Sequence, residues 1–341
     1  MEIVKRAFGT TKDDKDISCY TITNEKGMSV TVSELGAIII GVTVPDKNGK
    51  KLDVVLGYDD SDPYYGNDEF FGATIGRSAN RIQGASFDID GTKIQLPVNE
   101  NSNNLHSDSE NGFHKKLWTA APDEARNAVT MSYTSPDGEN GFPGNLDMHV
   151  TFALSDDNEF SIHYEGVSDK KTLINCTNHS YFNLAGHSSG KILDHYLKIN
   201  ASKYTPVEPD SIPTGEIADV EGTPFDFREF HKIGERITAF GSSPKAVLSF
   251  ELCPSAIGAG RQLIRLVVER QRLAALPAGV LSRAGLFSCF RHTITSAKNS
   301  CYYYSQKNSN NTSSPFFCGE LYDLSIIILR SLLLRSRPMQ T

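Results

Sequence analysis

The sequence predicts an all-β protein, a large antiparallel β-sandwich, in a chain of 341 residues. Three observations carry that expectation. Short β-branched runs recur with turn signals between them, and one of them, LDMHVTFAL at 146–154, alternates apolar and polar residues as a half-buried strand does. No strand-like run alternates with a helix-length amphipathic segment, as a parallel α/β sheet would require.

Taken in order, ISCYTITN (17–24), SVTVSEL (29–35) and AIIIGVTV (37–44) read as strands, followed by LDVVLGY (52–58). SFDIDGTKIQL (86–96) carries Asp90-Gly91 between alternating residues, a hairpin signal. AVTMSYTS (128–135), LDMHVTFAL, EFSIHYEGV (159–167) and TLINCTNHSYF (172–182) continue the strands. SPDGENGFPGN (135–145) is a loop by its Gly, Pro, Asn and Asp content. The only helix-like periodicity is RQLIRLVVERQRLAAL at 261–276. Neither GxGxxG after a strand nor GxxxxGK[ST] occurs, so the usual nucleotide-binding fingerprints are missing.

Composition divides the chain into a body, 1–240, and a tail, 241–341. The tail holds 12 Lys+Arg and 4 Asp+Glu, which leaves 22 basic and 37 acidic residues in the body, net charges of +8 and −15. No aspartate occurs between Asp226 and Asp323, and Arg outnumbers Lys only in the tail. A basic tail could mark a nucleic-acid or membrane module. SQKNSNNTSSPFF (305–317) is low in complexity, however, and the basic residues form no patch with interleaved aromatics. LSIIILRSLLL (324–334) is shorter than a membrane span and is interrupted by Arg330. The tail therefore reads as divergent, a disordered extension or the product of a frameshift. The N-terminus has no apolar stretch of signal-peptide length, and the six cysteines form no CxxC pair. A reduced, cytoplasmic protein is expected, with no metal, no nucleic-acid or membrane partner, and a monomeric state.

Four polar clusters fall at strand ends, where a sandwich displays them. They are GATIGRSANRI (72–82) with Arg77, Asn80 and Arg81; NSNNLHSDSENGFHKKLW (101–118) with His106 and His114; SPDGENGFPGN; and the stretch around His179. Asn and Arg present several donors to hydroxyl oxygens, and neutral histidine offers one donor and one acceptor, so a neutral polyol ligand suits them. Histidine also titrates near neutral pH and can pass a proton. Each residue has a structural alternative: Arg81 could pair with a body carboxylate, Asn80 could be a turn residue, and His179 could be a scaffold histidine.

NCTNHSYFNL (175–184) resembles the signature of the aldose 1-epimerase family. GATIGRSANRI, NLH followed by GFHKKLW, SPDGENGFPGNL and YTPVEPDSIPTGEIADVEGTPFDFR (204–228) resemble further family segments in the family's order, over roughly residues 5–237. The resemblance implies the same large antiparallel sandwich and the interconversion of α and β anomers of free hexoses such as galactose or glucose, without metal or organic cofactor. It implies that His179 is the general acid at the ring oxygen, that His106 binds the sugar near that oxygen, and that Asn80 and Arg81 form the sugar-binding Asn-Arg pair. From the residues themselves, Thr177, Asn178 and Asn183 are candidates to scaffold His179, with the choice among them open, and the strand TLIN would fix its backbone.

The chain also departs from the family pattern. Ser107 and Asp108 stand where the family has Gly-Gly, and Glu208 where it commonly has Asp. The family's Asp-His-Asn and Leu-Glu-Thr-Gln segments, the second carrying the base, have no counterpart after residue 240. Glu320 lies in roughly the right region with unmatched surroundings, so the base is unknown from sequence. The last strands of the sandwich are expected to be missing. A catalytically inactive sugar-binding relative is the alternative reading.

Overall fold

The computed structural model describes residues 1–46, 48–199 and 201–237, and beyond these the backbone of 262–269, 288–294 and 322–331, side chains being described up to 235. The chain opens with a meander of five antiparallel strands: β1 (Glu2–Thr10), β2 (Asp16–Thr23), β3 (Ser29–Ser33), β4 (Ile38–Pro45) and β5 (Lys51–Asp53). Strand β1 was not legible as a strand. It lies at the sheet edge with a mostly exposed pattern, so no alternation marks it.

Short pieces follow: β6 (Thr74–Ile75), β7 (Arg81–Ile82), the hairpin of β8 (Ser86–Ile89) and β9 (Thr92–Gln95), and β10 (Asn104–Leu105). The hairpin turns at Asp90 and Gly91, both at positive φ (50° and 80°), as a two-residue turn of primed type demands. A second meander runs through β11 (Thr119–Asp123), β12 (Ala128–Ser135), β13 (Leu146–Leu154) and β14 (Glu159–Ser168). After these come β15 (Thr177–Asn178), β16 (Tyr196–Ile199), β17 (Lys203–Tyr204), β18 (Ala218–Asp219) and β19 (His231–Lys232), then the short helix α1 (Ile233–Ile237).

Three tail strands complete the description: β20 (Gln262–Glu269), β21 (Ser288–Ile294) and β22 (Tyr322–Ser331). They join a nine-stranded sheet in the order β11-β12-β13-β14-β22-β21-β20-β16-β19. This corrects two expectations. The tail supplies strand backbone to the middle of the sheet rather than leaving it without its last strands. The helix-like run at 261–276 is strand over Gln262–Glu269, where backbone donors and acceptors are taken up by β16 and β21 on either side; the run LIRLVV is also rich in β-branched residues.

One core cluster joins the two large sheets, which makes the architecture a sandwich. Tyr20, Ile22, Val30 and Val32 of the first sheet share it with Met131, Val150, Phe152, Phe160 and Ile162 of the second. Burying each such side chain contributes about 1.5–3 kcal/mol relative to leaving it exposed. In β13 the alternation read from sequence is realised: Leu146, Met148, Val150, Phe152 and Leu154 are buried, and the residues between them are partly or fully exposed. No helix among the described residues is long and apolar enough to cross a membrane.

Candidate functional site

The site is built from segments too short to be sheets in their own right. TLIN (172–175) is not a ladder strand, contrary to expectation: only Asn175 makes a bridge, with Ser78, before the two-residue β15 pairs with β6. Its partner is the irregular GRSAN stretch, which offers scattered backbone groups instead of a continuous edge. Asn175 N–H donates to the Arg77 carbonyl (2.8 Å) and Ala79 N–H donates to the Asn175 carbonyl (2.7 Å), so two of the sequence motifs are laced together.

His179 follows directly. Its backbone N–H donates to the Ala73 carbonyl at 2.9 Å. One residue earlier, Asn178 Nδ2 donates to the Gly72 carbonyl (2.9 Å), while its Oδ1 accepts from Ser180 N–H (3.0 Å). Asn178 is therefore the scaffold, holding the histidine from both sides. The Gly72 carbonyl also accepts from Ile39 N–H, and a Cβ at Gly72 would lie 1.9 Å from the Ile39 carbonyl oxygen, so only glycine fits. Asn183 does something else: it ties the following turn, donating to the Gly190 carbonyl and accepting from Ala185 N–H and the Ser189 hydroxyl. Thr177 contributes its place in the β15 register.

His106 sits across from His179, the two ring centroids 5.3 Å apart and nearly perpendicular. It is locked to Asn80 twice. His106 N–H donates to the Asn80 carbonyl (2.9 Å), and Asn80 N–H donates to His106 Nδ1 (2.9 Å). With Nδ1 accepting, the neutral ring carries its proton on Nε2. Asn80, His106 and Ser107 all have left-handed backbone (φ 61°, 54° and 67°). Ser107, standing where the family has glycine, keeps the glycine conformation. Its buried hydroxyl accepts from Ser78 N–H (2.8 Å) and donates to the Ser78 carbonyl (3.0 Å), offsetting the cost of a Cβ at that φ.

The two arginines of GATIGRSANRI part company. Arg77 is 1% exposed and donates to the Ser135 hydroxyl and to the carbonyls of Ser135, Pro136 and Pro143 at 2.9–3.0 Å. It pins the loop SPDGENGFPGN to the body and is structural. Arg81 is partly exposed and forms a two-point pair with Glu100 (2.5 and 2.6 Å). Glu100 was not read from sequence, because nothing in its spacing marks it as the partner. A fork-to-fork pair of this kind holds the guanidinium plane in one orientation.

Phe70 was missed too. Its ring stands 5.1 Å from His106, 5.0 Å from His114 and 5.6 Å from His179, centroid to centroid. His114 is buried, with Nε2 against the Ser109 carbonyl (3.0 Å). Tyr181, 38% exposed, flanks His179 with ring centroids 5.3 Å apart. Glu208 lies exposed at a turn far along the chain, and its backbone, not its carboxylate, makes the turn's hydrogen bonds. Glu320 lies outside the described residues.

Burial sets the electrostatics. It pushes His106 down to about 3, with the charges of His179, Arg81 and His114 adding to the effect. It pushes His114 down to about 4 and lowers His179, where Glu69 acts in the opposite sense. Removing water from an imidazolium disfavours the charged form, so neutral rings prevail at pH 7.

The site gathers neutral imidazoles beside Asn80 and Arg81 within a run of short segments. The fold itself, a wide antiparallel sandwich, is of the mutarotase-like class of β-sandwich proteins. The family model described as Aldose 1-epimerase matches residues 18–255, and the chain belongs to the aldose 1-epimerase family. It is 43% identical over 213 residues to a galactose mutarotase of Rattus norvegicus, an overlap of 62% of this chain and 61% of that one. The chain thus spans about three fifths of the length of that relative. Among solved structures it resembles a galactose 1-epimerase from Lactobacillus acidophilus NCFM (TM-score 0.63, 31% identity, covering 71% of this chain and 70% of that one). A GalM/aldose epimerase homologue from C. elegans shares the fold (TM-score 0.67, 23% identity, covering 92% and 98%).

Proposed function

We propose that this protein is an aldose 1-epimerase that interconverts the α and β anomers of a free hexose such as galactose or glucose. The observation that carries the reading is the pair of partly buried imidazoles, His106 and His179, 5.3 Å apart beside Asn80 and Arg81. In this reading His179 protonates the ring oxygen as general acid. His106, which carries its proton on Nε2, binds the sugar near that oxygen and steadies the charge that develops there. Asn80 and Arg81 hold hydroxyl groups, with Glu100 keeping the guanidinium turned toward them. Loss of the C1 hydroxyl proton to a base opens the ring, the C1–C2 bond turns, and closure from the other face yields the other anomer. Proton and electron pair both return to the sugar, so the reaction consumes nothing.

His179 must carry a proton to act as acid, and its lowered pKa makes it a stronger acid that is charged less often. Its protonated fraction rises as pH falls toward that pKa. The base of the reaction is unassigned, and every residue named above lies in the body, 1–240. The free, buried thiols of Cys19 and Cys176 accord with a reducing, cytoplasmic setting, and a monomer acting on a small sugar accords with a site built within one chain. The test is polarimetry of freshly dissolved α-D-galactose with the full chain. Faster relaxation to the equilibrium rotation supports the reading, and a rate equal to the buffer's overturns it.

A further inference from the structure

The turn that carries Phe70 is built against steric preference. Phe70 has φ 57°, a backbone region that a bulky side chain rarely enters and that costs on the order of 1–3 kcal/mol. A buried asparagine holds it there. Asn67 accepts from Phe71 N–H through Oδ1 (2.9 Å), donates to the Phe71 carbonyl (3.2 Å), and accepts from Phe70 N–H through its own carbonyl (3.1 Å). Ala73 N–H then closes the turn on the Phe70 carbonyl (3.1 Å), and the Ala73 carbonyl is the group that receives His179 N–H. The outcome of this strain is a benzene ring packed on Ala73, Ile75 and Ala79 and set among three histidines.

We infer that Phe70 is a positioning residue of the site: its ring fixes the planes of His106 and His179 relative to each other and excludes water from their inner faces. Phe70 meets His106 and His114 edge-on (72° and 67°) and His179 at a tilt (43°), so each imidazole has one ring edge or face packed against hydrocarbon. A hydrocarbon neighbour offers no hydrogen bond to an imidazolium, which favours the neutral form. Among the described residues, Glu69 and Tyr181 adjoin His179; Arg81, His114 and His179 face His106; Lys115, the Ser109 carbonyl, Asp108 and His179 act on His114. A backbone hydrogen bond and Glu69 favour a charged His179, and burial, to which contact with the Phe70 ring contributes, opposes them. The inference deepens the anomer-interconverting reading given above and rests on it for the kinetic consequence only.

The experiment is an NMR titration of the histidine Cε1–H signals of the full chain, assigned by single His→Gln substitutions, in the parent, Phe70→Leu and Phe70→Tyr. In the parent, His106 and His179 should titrate below the ordinary imidazole value of about 6.5. Phe70→Leu, whose smaller side chain lets water reach the inner faces of the imidazoles, should move both midpoints up toward it, and Phe70→Tyr, which keeps the ring, should restore the parent values. The pH at which kcat/KM falls should move up with His179. kcat should drop on the order of 10-fold with little change in KM, less than the 10²-fold that a misplacement of ~1 Å can cost. Unmoved midpoints in a folded Leu variant overturn the inference. So does the absence, in the parent, of nuclear Overhauser contacts between the Phe70 ring and the two imidazoles, a measurement that needs no variant to fold. If the midpoints move but the parent does not speed mutarotation, the role of Phe70 stands and the proposed activity fails. If mutarotation is fast and the midpoints stay put, only the role of Phe70 fails.

Discussion

The strands β12–β14 and the segments 67–82, 104–107 and 175–183 follow opposite rules. In the first region, eight residue pairs join β12 to β13 and nine join β13 to β14, in unbroken antiparallel register. Burial alternates along β13 and β14, and most of the buried side chains there are apolar. In the second, pairing lasts two residues at a time, and Phe70, Asn80, His106 and Ser107 all occupy left-handed backbone. Periodic order in the ladder follows from the average polarity of a run. In the site segments single side chains set the backbone, such as Asn67 at its turn, Ser107 against Ser78 and Asn178 against Gly72. Tolerance to substitution should therefore differ, with the ladder sensitive to volume and the site sensitive to identity.

The largest effect that would test this contrast is on chemistry. His179→Asn, of similar size and polarity, should lower kcat for α-D-galactose about 10²–10⁴-fold with a smaller change in KM, because a proton donor acts mainly in the transition state. Its melting curve should stay close to the parent's. Equal activity of variant and parent would remove His179 from its assigned role. His106→Ala should weaken both kinetic parameters, since its ring both binds sugar and faces the reacting oxygen.

Phe152→Ala is the mirror case in the ladder. Phe152 is fully buried and stacked on Phe160 at 6.4 Å, so truncation should cost about 3–5 kcal/mol of stability. Chemical denaturation would measure that loss, and the His106 and His179 titrations of the folded fraction should be unchanged. A loss under ~1 kcal/mol would show that the core cluster is not packed as described.

Stability should also depend on pH through the site. His106 and His114 are pushed down to about 3 and about 4 in the folded chain and titrate near 6.5 when unfolded. Between those values the unfolded chain binds more protons. The stabilisation is complete above about pH 6.5 and is lost progressively as pH falls toward about 4 for His114 and about 3 for His106. Calorimetry should give a lower Tm at pH 5 than at pH 7.5, and His114→Gln should flatten the slope. An identical Tm at the two pH values would contradict neutral, buried imidazoles.

The smallest effect is expected at Ser107→Gly. Glycine relieves the left-handed strain but loses two hydrogen bonds with Ser78, each worth about 0.5–1.5 kcal/mol net, so the stability change should stay within about 1 kcal/mol. A loss of several kcal/mol would mean that the hydroxyl, more than the backbone, holds the His106 loop.

The residues by themselves determined the sandwich, the Asp90-Gly91 hairpin and the buried face of β13, because each follows from short-range chemistry: alternation, β-branching and turn conformation. The sequence motifs also brought forward His106, His179, Asn80 and Arg81, and the structure sets these close together. Three things were decided only by tertiary structure. Arg77 and Arg81, four residues apart in one motif, look alike in sequence, yet one meets the carbonyls of a loop some 60 residues on and the other meets Glu100. Phe70 reads as one apolar residue among many until its turn places it among three histidines. The run at 261–276 has helical periodicity, yet Gln262–Glu269 within it is strand, because neighbouring strands on both sides take up its backbone hydrogen bonds. In each case the deciding partner is distant in the chain, and local residue patterns carry no record of contacts made only after the sheets have closed.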